Sequence, residues 1–358
     1  MTDDQLPASA DVIEPAWLSD ALAPRFPGVR VYAIEVLERH EVTNSHARLR
    51  IHYDDAAGAP EVMFAKAPPS EPARRETIAK TNMGQREALF YATLASSLSL
   101  RVPEAYVALH DDRDGSFLLL LEDLVTTDCA VSDGTWGIAP DAAATALDEL
   151  AELHVRFEDP ARRAEQAPWV PRASHGSNYG ATMLRYGLDH HRDRLSDNFA
   201  AVAEMYIDHS DVLHALWQKG PATVIHGDPH IGNLFDDHGR AGFLDWGIIN
   251  VSTPMRDVSY FLNMSMSIED RRANERDLLR HYLERRTAVG GSEISFDDAW
   301  HAHRIHGAYT VPASCQVVTF PDNATPRRRV FANAFLARAE AALADLEVRS
   351  VLRQTAGL

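Results

Sequence analysis

Cysteine is almost missing from this 358-residue chain, with only Cys129 and Cys315 present. Two thiols can close at most one bridge, so a disulfide scaffold is excluded and reduced cysteines in a cytoplasmic protein are expected. No run of eighteen apolar residues exists, and a membrane-spanning helix is not expected. The start, Met1-Thr-Asp-Asp-Gln5, lacks the basic-then-apolar character of a secretory signal. Positive charge is scarce as well: 35 Lys and Arg face 52 Asp and Glu, a net charge of −17. The longest basic run is Arg327-Arg-Arg329, so nucleic acid is not expected as a partner. Internal repeats and low-complexity tracts are absent, which removes solenoids. What remains, 45% hydrophobic and 24% charged, is an ordinary soluble composition long enough for two lobes, and a homodimer is left open.

The most informative segment is His226-Gly-Asp-Pro-His-Ile-Gly-Asn233, followed twelve residues later by Asp245-Trp-Gly247. The apolar run Ala222–Ile225 precedes it, and the acidic turn Asp236–Gly239 leads into Ala241–Leu244. That pattern reads as two short strands joined by a tight turn, with polar groups gathered in the loops. Asp228, Asn233 and Asp245 stand in the order that phosphoryl transfer from a metal–nucleotide complex requires. Asp228 would take the proton of an attacking hydroxyl, while Asn233 and Asp245 would hold magnesium on the donor phosphates. The interval from Asp228 to Asn233 matches the catalytic loop of protein kinases, and Asp-Trp-Gly stands where they carry Asp-Phe-Gly.

Along the chain, residues 11–23 suit a short amphipathic helix. Alternating residues in 29–53 suit strands bent around Glu41–Ser45, and Glu61–Lys66 suits another strand. A helix is expected from about Arg74 to Leu98. Val102–Leu109 and Phe117–Leu121 flank a turn at Asp111–Gly115 and make a strand pair. After Leu124 the signals turn helical, over 141–157, 177–218, 255–287, 296–318 and 327–346. The expected fold class is α+β, a two-lobed architecture with a small β-rich N-lobe over residues 1–124. Residues 125–358 would form a larger helical C-lobe, and clefts at such junctions are where ligands usually bind.

Further parts fit that chemistry. Lys66 ends an apolar strand, as a lysine reaching the α- and β-phosphates would. Glu87 is its best ion-pair partner, with Glu76 the rival. The carbonyl of Glu122 and the amide of Leu124 are placed to meet an adenine edge. A phosphate-covering loop is weak: neither G-x-x-x-x-G-K-[ST] nor G-x-G-x-x-G occurs, which excludes a P-loop enzyme and the ordinary protein-kinase loop. Asn44 and Ser45, in His40–Ser45, are the substitutes, although without glycine the backbone cannot approach phosphate as closely. His226 would hold the Asp228 loop from beneath, and Asp257 would brace it from the next helix. The histidines at 190, 191, 301, 303 and 306 lack zinc-ligand spacing and are not expected to bind metal.

Taken together, these residues resemble the aminoglycoside phosphotransferase and choline-kinase superfamily. The carriers are His226-Gly-Asp-x-His-x-x-Asn233, Leu244-Asp-Trp246, Lys66, Glu87-x-x-Phe-Tyr91 and Leu121-Glu-Asp-Leu124, the last two looking most like the ecdysteroid-kinase-like branch. The resemblance implies a protein-kinase-like fold, ATP or GTP with magnesium, and phosphorylation of a small-molecule hydroxyl. An amino-alcohol acceptor of aminoglycoside or choline type is one alternative, and a nucleotide-binding pseudokinase is another. Asp189, Asp193 and Asp197 recur at four-residue spacing and would share a helix face, but interleaved arginines make a solvated ion-paired surface the simpler reading. A neutral or weakly charged hydroxylated acceptor is therefore expected.

Overall fold

The computed structural model describes residues 6–41, 43–173 and 178–358. The acidic start, Val42 of the expected phosphate loop and residue 177 of an expected helix lie outside the described residues. The chain divides into two compact units, Met1–Ala130 with Leu244–Ile249, and Val131–Phe243 with Asn250–Leu358.

The first unit is built on an antiparallel sheet. Its strands are β1 (Arg30–Glu41), β2 (Ser45–Asp55), β3 (Val62–Ala67), β4 (Ala105–His110) and β5 (Phe117–Glu122), in the order β1-β2-β3-β5-β4. Ala47, Leu49 and Ile51 alternate inward along β2, the period of two that a half-buried strand imposes. All six residues of β5 are buried, so its Phe-Leu-Leu-Leu-Leu run serves both faces of an inner strand. Helix α1 (Pro15–Leu22) inserts Leu18 and Leu22 into the same core. The helix expected over 74–98 is divided into α2 (Pro72–Ala79) and α3 (Met83–Thr93). The break is at Asn82, left-handed at φ 55°, a conformation asparagine tolerates better than most residues.

The second unit is mainly helical. It begins as β6 (Ala130–Val131) ends and continues with α4 (Pro140–Arg156), α5 (Pro160–Gln166), α6 (Tyr179–His190) and α7 (Asp197–Trp217). Four short strands come next: β7 (Thr223–Ile225), β8 (Leu234–Asp237), β9 (Arg240–Phe243) and β10 (Asn250–Ser252). Then come α8 (Pro254–Ser265), α9 (Ile268–Ala288), α10 (Phe296–His306), α11 (Thr310–Ala313), α12 (Pro326–Asp345) and α13 (Val348–Ala356). Phe199, Trp217, Tyr260, Met264 and Phe335 anchor the core that α7, α8 and α12 share.

Four expectations need correction here. The strand before the catalytic turn does not pair with the one after it: β7 pairs with β10, while the hairpin is β8–β9, closed at His238-Gly239. Both turn residues have positive φ, as a two-residue hairpin of the primed type needs. The carboxylates at 189, 193 and 197 share no helix face. Asp189 lies in the last turn of α6, Asp193 sits in a 3-10 turn, and Asp197 opens α7 after Ser196, whose hydroxyl accepts from the Phe199 N–H. A serine cap also divides the helix expected over 255–287, where Ser267 accepts from the Asp270 N–H and starts α9. Pro312 falls in the stretch expected over 296–318, and that segment too is broken.

Candidate active site

The first unit holds a buried cation between two acids. Lys66, on β3, places Nζ 2.6 Å from Glu87 Oε2 of α3 and 3.4 Å from Asp245 Oδ1. Burial disfavours the ammonium, but Asp245 and Glu87 more than offset it and hold the Lys66 pKa above its ordinary value. Glu76, the rival partner, pairs instead with Lys80 on the exposed side of α2. Asp245 is left-handed at φ 56°, ψ 74°, a strained conformation that persists only where its surroundings enforce it. Its neighbour Trp246 does so: the indole is buried and stacks on Phe90 of α3, ring centres 3.8 Å apart and planes at 6°.

Strand register places the remaining first-unit residues. Lys66 lies opposite His46 on β2, and Met63 lies opposite Glu122 on β5. Asn44 and Ser45, at the head of β2, are both buried. Glu122 ends β5 with its carboxylate held by Arg101 at 2.8 and 2.9 Å and by the Glu104 N–H at 3.1 Å. Leu124 is buried two residues on.

His46 supplies a measurable consequence. Burial, and then the neighbouring Lys66 charge, push its pKa down to about 4, and its Nε2 has no hydrogen-bond partner among the described residues. The folded-state pKa is depressed, so its contribution to stability is complete above pH 6.5 and is lost as pH falls towards 4. At ~1.4 kcal/mol per unit the linked loss is at most about 3 kcal/mol. Urea midpoints measured from about pH 7.5 to 4.5 should fall less steeply for His46→Asn than for the natural chain, and parallel curves would refute this assignment.

The second unit holds the loop Gly227–Asn233, and its polar atoms form a connected set. Asn233 Nδ2 donates to the Asp228 carbonyl at 2.9 Å and to Asp228 Oδ2 at 3.0 Å. Both bonds use the amide nitrogen, which leaves Oδ1 as the acceptor end. The Asp228 N–H donates to His226 Nδ1 at 3.2 Å, so the buried ring supports the turn. Asp257, fully buried in the first turn of α8, accepts the backbone N–H groups of His226 at 2.7 Å and Gly227 at 2.8 Å.

Sequence reasoning missed four members of this set. His154 of α4 lies 3.3 Å from Asp257 through Nε2 and 2.8 Å from the Tyr282 hydroxyl through Nδ1. Burial lowers the His154 pKa below its usual value. Burial raises the Asp257 carboxyl, but His154 and the loop N–H groups outweigh it and the net shift is downward. The pair is a neutral imidazole donating to a carboxylate. His230 accepts the Gly232 N–H on Nδ1 at 3.0 Å, which puts its ring proton on Nε2, 3.5 Å from Asp228 Oδ2. Tyr260, one turn after Asp257, is buried, and burial together with the nearby Asp228 charge raises its hydroxyl well above the usual pKa. His230 stood inside the motif and was legible there; His154 and Tyr282 carry no local signal.

The donor set suits a hard cation. Lys66 faces the Asp245 carboxylate and a Glu87 carboxyl that burial pushes up to about 7 against the pull of the Lys66 charge. No three His, Cys, Asp or Glu side chains converge on a metal position among the described residues. The Asp245 carboxylate in the first unit and Asn233 Oδ1 in the second are each oxygen donors of the kind magnesium takes, alongside phosphate oxygens and water.

A family model described as the phosphotransferase enzyme family matches residues 36–293. The match is to the family as a whole and not to one branch. No curated protein matches the chain. Among solved structures, the GDP complex of wild-type aminoglycoside 2'-phosphotransferase-IIIa is similar at 12% identity, over 93% of this chain and 99% of that one, with a TM-score of 0.50. Macrolide 2'-phosphotransferase MphH from Brachybacterium faecium is 17% identical over 89% of this chain and 97% of that one, TM-score 0.47. Choline kinase LicA from Streptococcus pneumoniae is 14% identical over 91% and 98%, TM-score 0.49. The first likeness carries the fold, which is the α+β, two-lobed, kinase-like one expected from the sequence. No described helix is long and apolar enough to cross a membrane.

Proposed function

Because this chain belongs to the phosphotransferase enzyme family, we propose that it transfers the γ-phosphoryl group of ATP or GTP to a hydroxyl of a small molecule. Asp228 receives the hydroxyl proton as the acceptor oxygen bonds to phosphorus. The bond from phosphorus to the bridging oxygen breaks, and the nucleoside diphosphate leaves with that electron pair. Lys66 binds the donor phosphates and Glu87 orients it. Asn44 and Ser45 lie along the phosphates, while the Glu122 carbonyl and the Leu124 amide meet the base. Asn233 and Asp245 would hold magnesium, which when bound neutralises charge on the phosphates. His226 and Asp257 keep the Asp228 loop in shape through the bonds described above.

The observation that carries this reading is the buried Lys66 ammonium, held between Glu87 and Asp245. A lysine taken out of water with two acids is expensive to maintain, and a fold keeps such a group where it meets a substrate. The test is a panel of hydroxylated metabolites with Mg-ATP and Mg-GTP, read by nucleotide consumption and by the mass of the phosphorylated product. Product with at least one hydroxylated acceptor is expected. A chain that binds neither nucleotide in the presence of magnesium would overturn the proposal.

A further inference from the structure

Arginines of the second unit commonly meet a carboxylate: Arg192 pairs with Asp197, Arg240 with Glu149, Arg272 with Asp345 and Arg285 with Glu152. Arg328 and Arg329 differ. They are exposed in the first turn of α12, and among the described residues neither is in an ion pair. Together with Arg194 they line a cavity of about 230 Å3. Its single carboxylate is Asp322, so the lining has two positive charges in excess within a chain of net charge −17.

The cavity is also held in a particular shape. The Arg194 guanidinium carbon lies 3.4 Å from the centre of the Phe320 ring, and its Nη2 donates to Asn333 Oδ1 at 3.4 Å. Phe320 has φ 40°, a left-handed conformation that is strained for a bulky residue and is kept only where packing imposes it. Phe331 connects the cavity to the Asp228 loop. Its ring centre is 6.2 Å from that of His230, and a Cβ added at Gly232 would meet its Cε2 at 3.0 Å. His230 in turn faces Asp228.

We propose that this cavity receives the acceptor, and that the acceptor carries an oxyanion, a carboxylate or a phosphate, on an apolar body. The proposal rests on the phosphotransferase reading and narrows it. Guanidinium forks match the geometry of both oxyanions, and the N-terminus of α12 adds partial positive charge to the same wall. Phe320, Phe331 and Val317 supply apolar surface for the remainder of the molecule. The acceptor then differs from the neutral or weakly charged one expected from the arginines interleaved with Asp189, Asp193 and Asp197, and a polycation would be repelled at this wall.

The test uses benzoate and phenyl phosphate as probes, with benzamide as the uncharged control, titrated into the full chain at low salt. At least one anion should bind ten-fold or more tightly than benzamide, and the two anions separate carboxylate from phosphate preference. The R328Q/R329Q double variant, with its melting temperature checked against the natural chain, should lose at least ten-fold of that affinity. Equal affinity for anions and benzamide, or anion affinity unchanged in the folded double variant, would overturn the proposal. Titration of Mg-ATP into the natural chain is the separate arm. Failure there removes the phosphotransferase reading, and with it the acceptor role, while an anion result would still stand.

Discussion

Asp228→Asn should lower turnover by about 10²–10⁴-fold, the usual worth of a positioned general base. It should leave the affinity for Mg-ATP within a few-fold of the natural chain. The substitution is nearly isosteric, and the side-chain oxygen that remains can still accept from Asn233 Nδ2, as Asp228 Oδ2 does at 3.0 Å. The turn is held mainly by bonds that do not involve the carboxylate: the Asp228 N–H to His226 and the His226 and Gly227 N–H groups to Asp257. Single-turnover phosphorylation of an identified acceptor, set beside a nucleotide titration, separates the two effects. A variant whose rate stays within ten-fold of the natural one would remove Asp228 from the base role.

Lys66→Met carries the second large effect, and it acts on two properties at once. The methionine fills similar space without charge, so Glu87, 3% exposed, is left buried beside Asp245 with no cation. Breaking a buried pair in this way costs about 3–5 kcal/mol. Phosphoryl transfer should be nearly lost as well, since the ammonium proposed to bind the donor phosphates is then gone. The double variant Lys66→Met, Glu87→Gln isolates the causes: removing the stranded charge should restore most of the stability and none of the activity. Recovery of activity in the double variant would show that Lys66 serves the fold alone.

The parts legible in the sequence were those whose chemistry demands a given residue type at a given interval. Asp228, Asn233 and Asp245 are such residues, and so is a lysine closing an apolar strand. The strands of the first unit were legible because Ala47, Leu49 and Ile51 alternate in the period of a half-buried sheet. Helix breaks were harder. Periodicity continues across Met266, and only the Ser267-x-x-Asp270 cap announces that a new helix begins. Asn82 gives no comparable notice, since its left-handed backbone is imposed by the turn between α2 and α3. The pairing of β7 with β10 is a contact between segments 25 residues apart, Ile225 with Asn250, and no local pattern encodes it. The link from His154 through Asp257 to the loop is hidden for the same reason: one buried histidine in an apolar helix looks like any other core residue.

The segment Leu244–Ile249 belongs to the first unit, although the chain on either side of it belongs to the second. That arrangement has a consequence during synthesis. Ribosomes add roughly 5–20 residues per second, and domains ordinarily fold as they emerge. The first unit cannot be completed that way, because Asp245 and Trp246 emerge more than a hundred residues after Ala130. For on the order of ten seconds the nascent sheet has a Phe90 ring without its stacking partner and a Lys66 with one of its two acids. A fragment ending near Ala130 would remain in that state permanently, with an apolar surface open to chaperones and to other nascent chains.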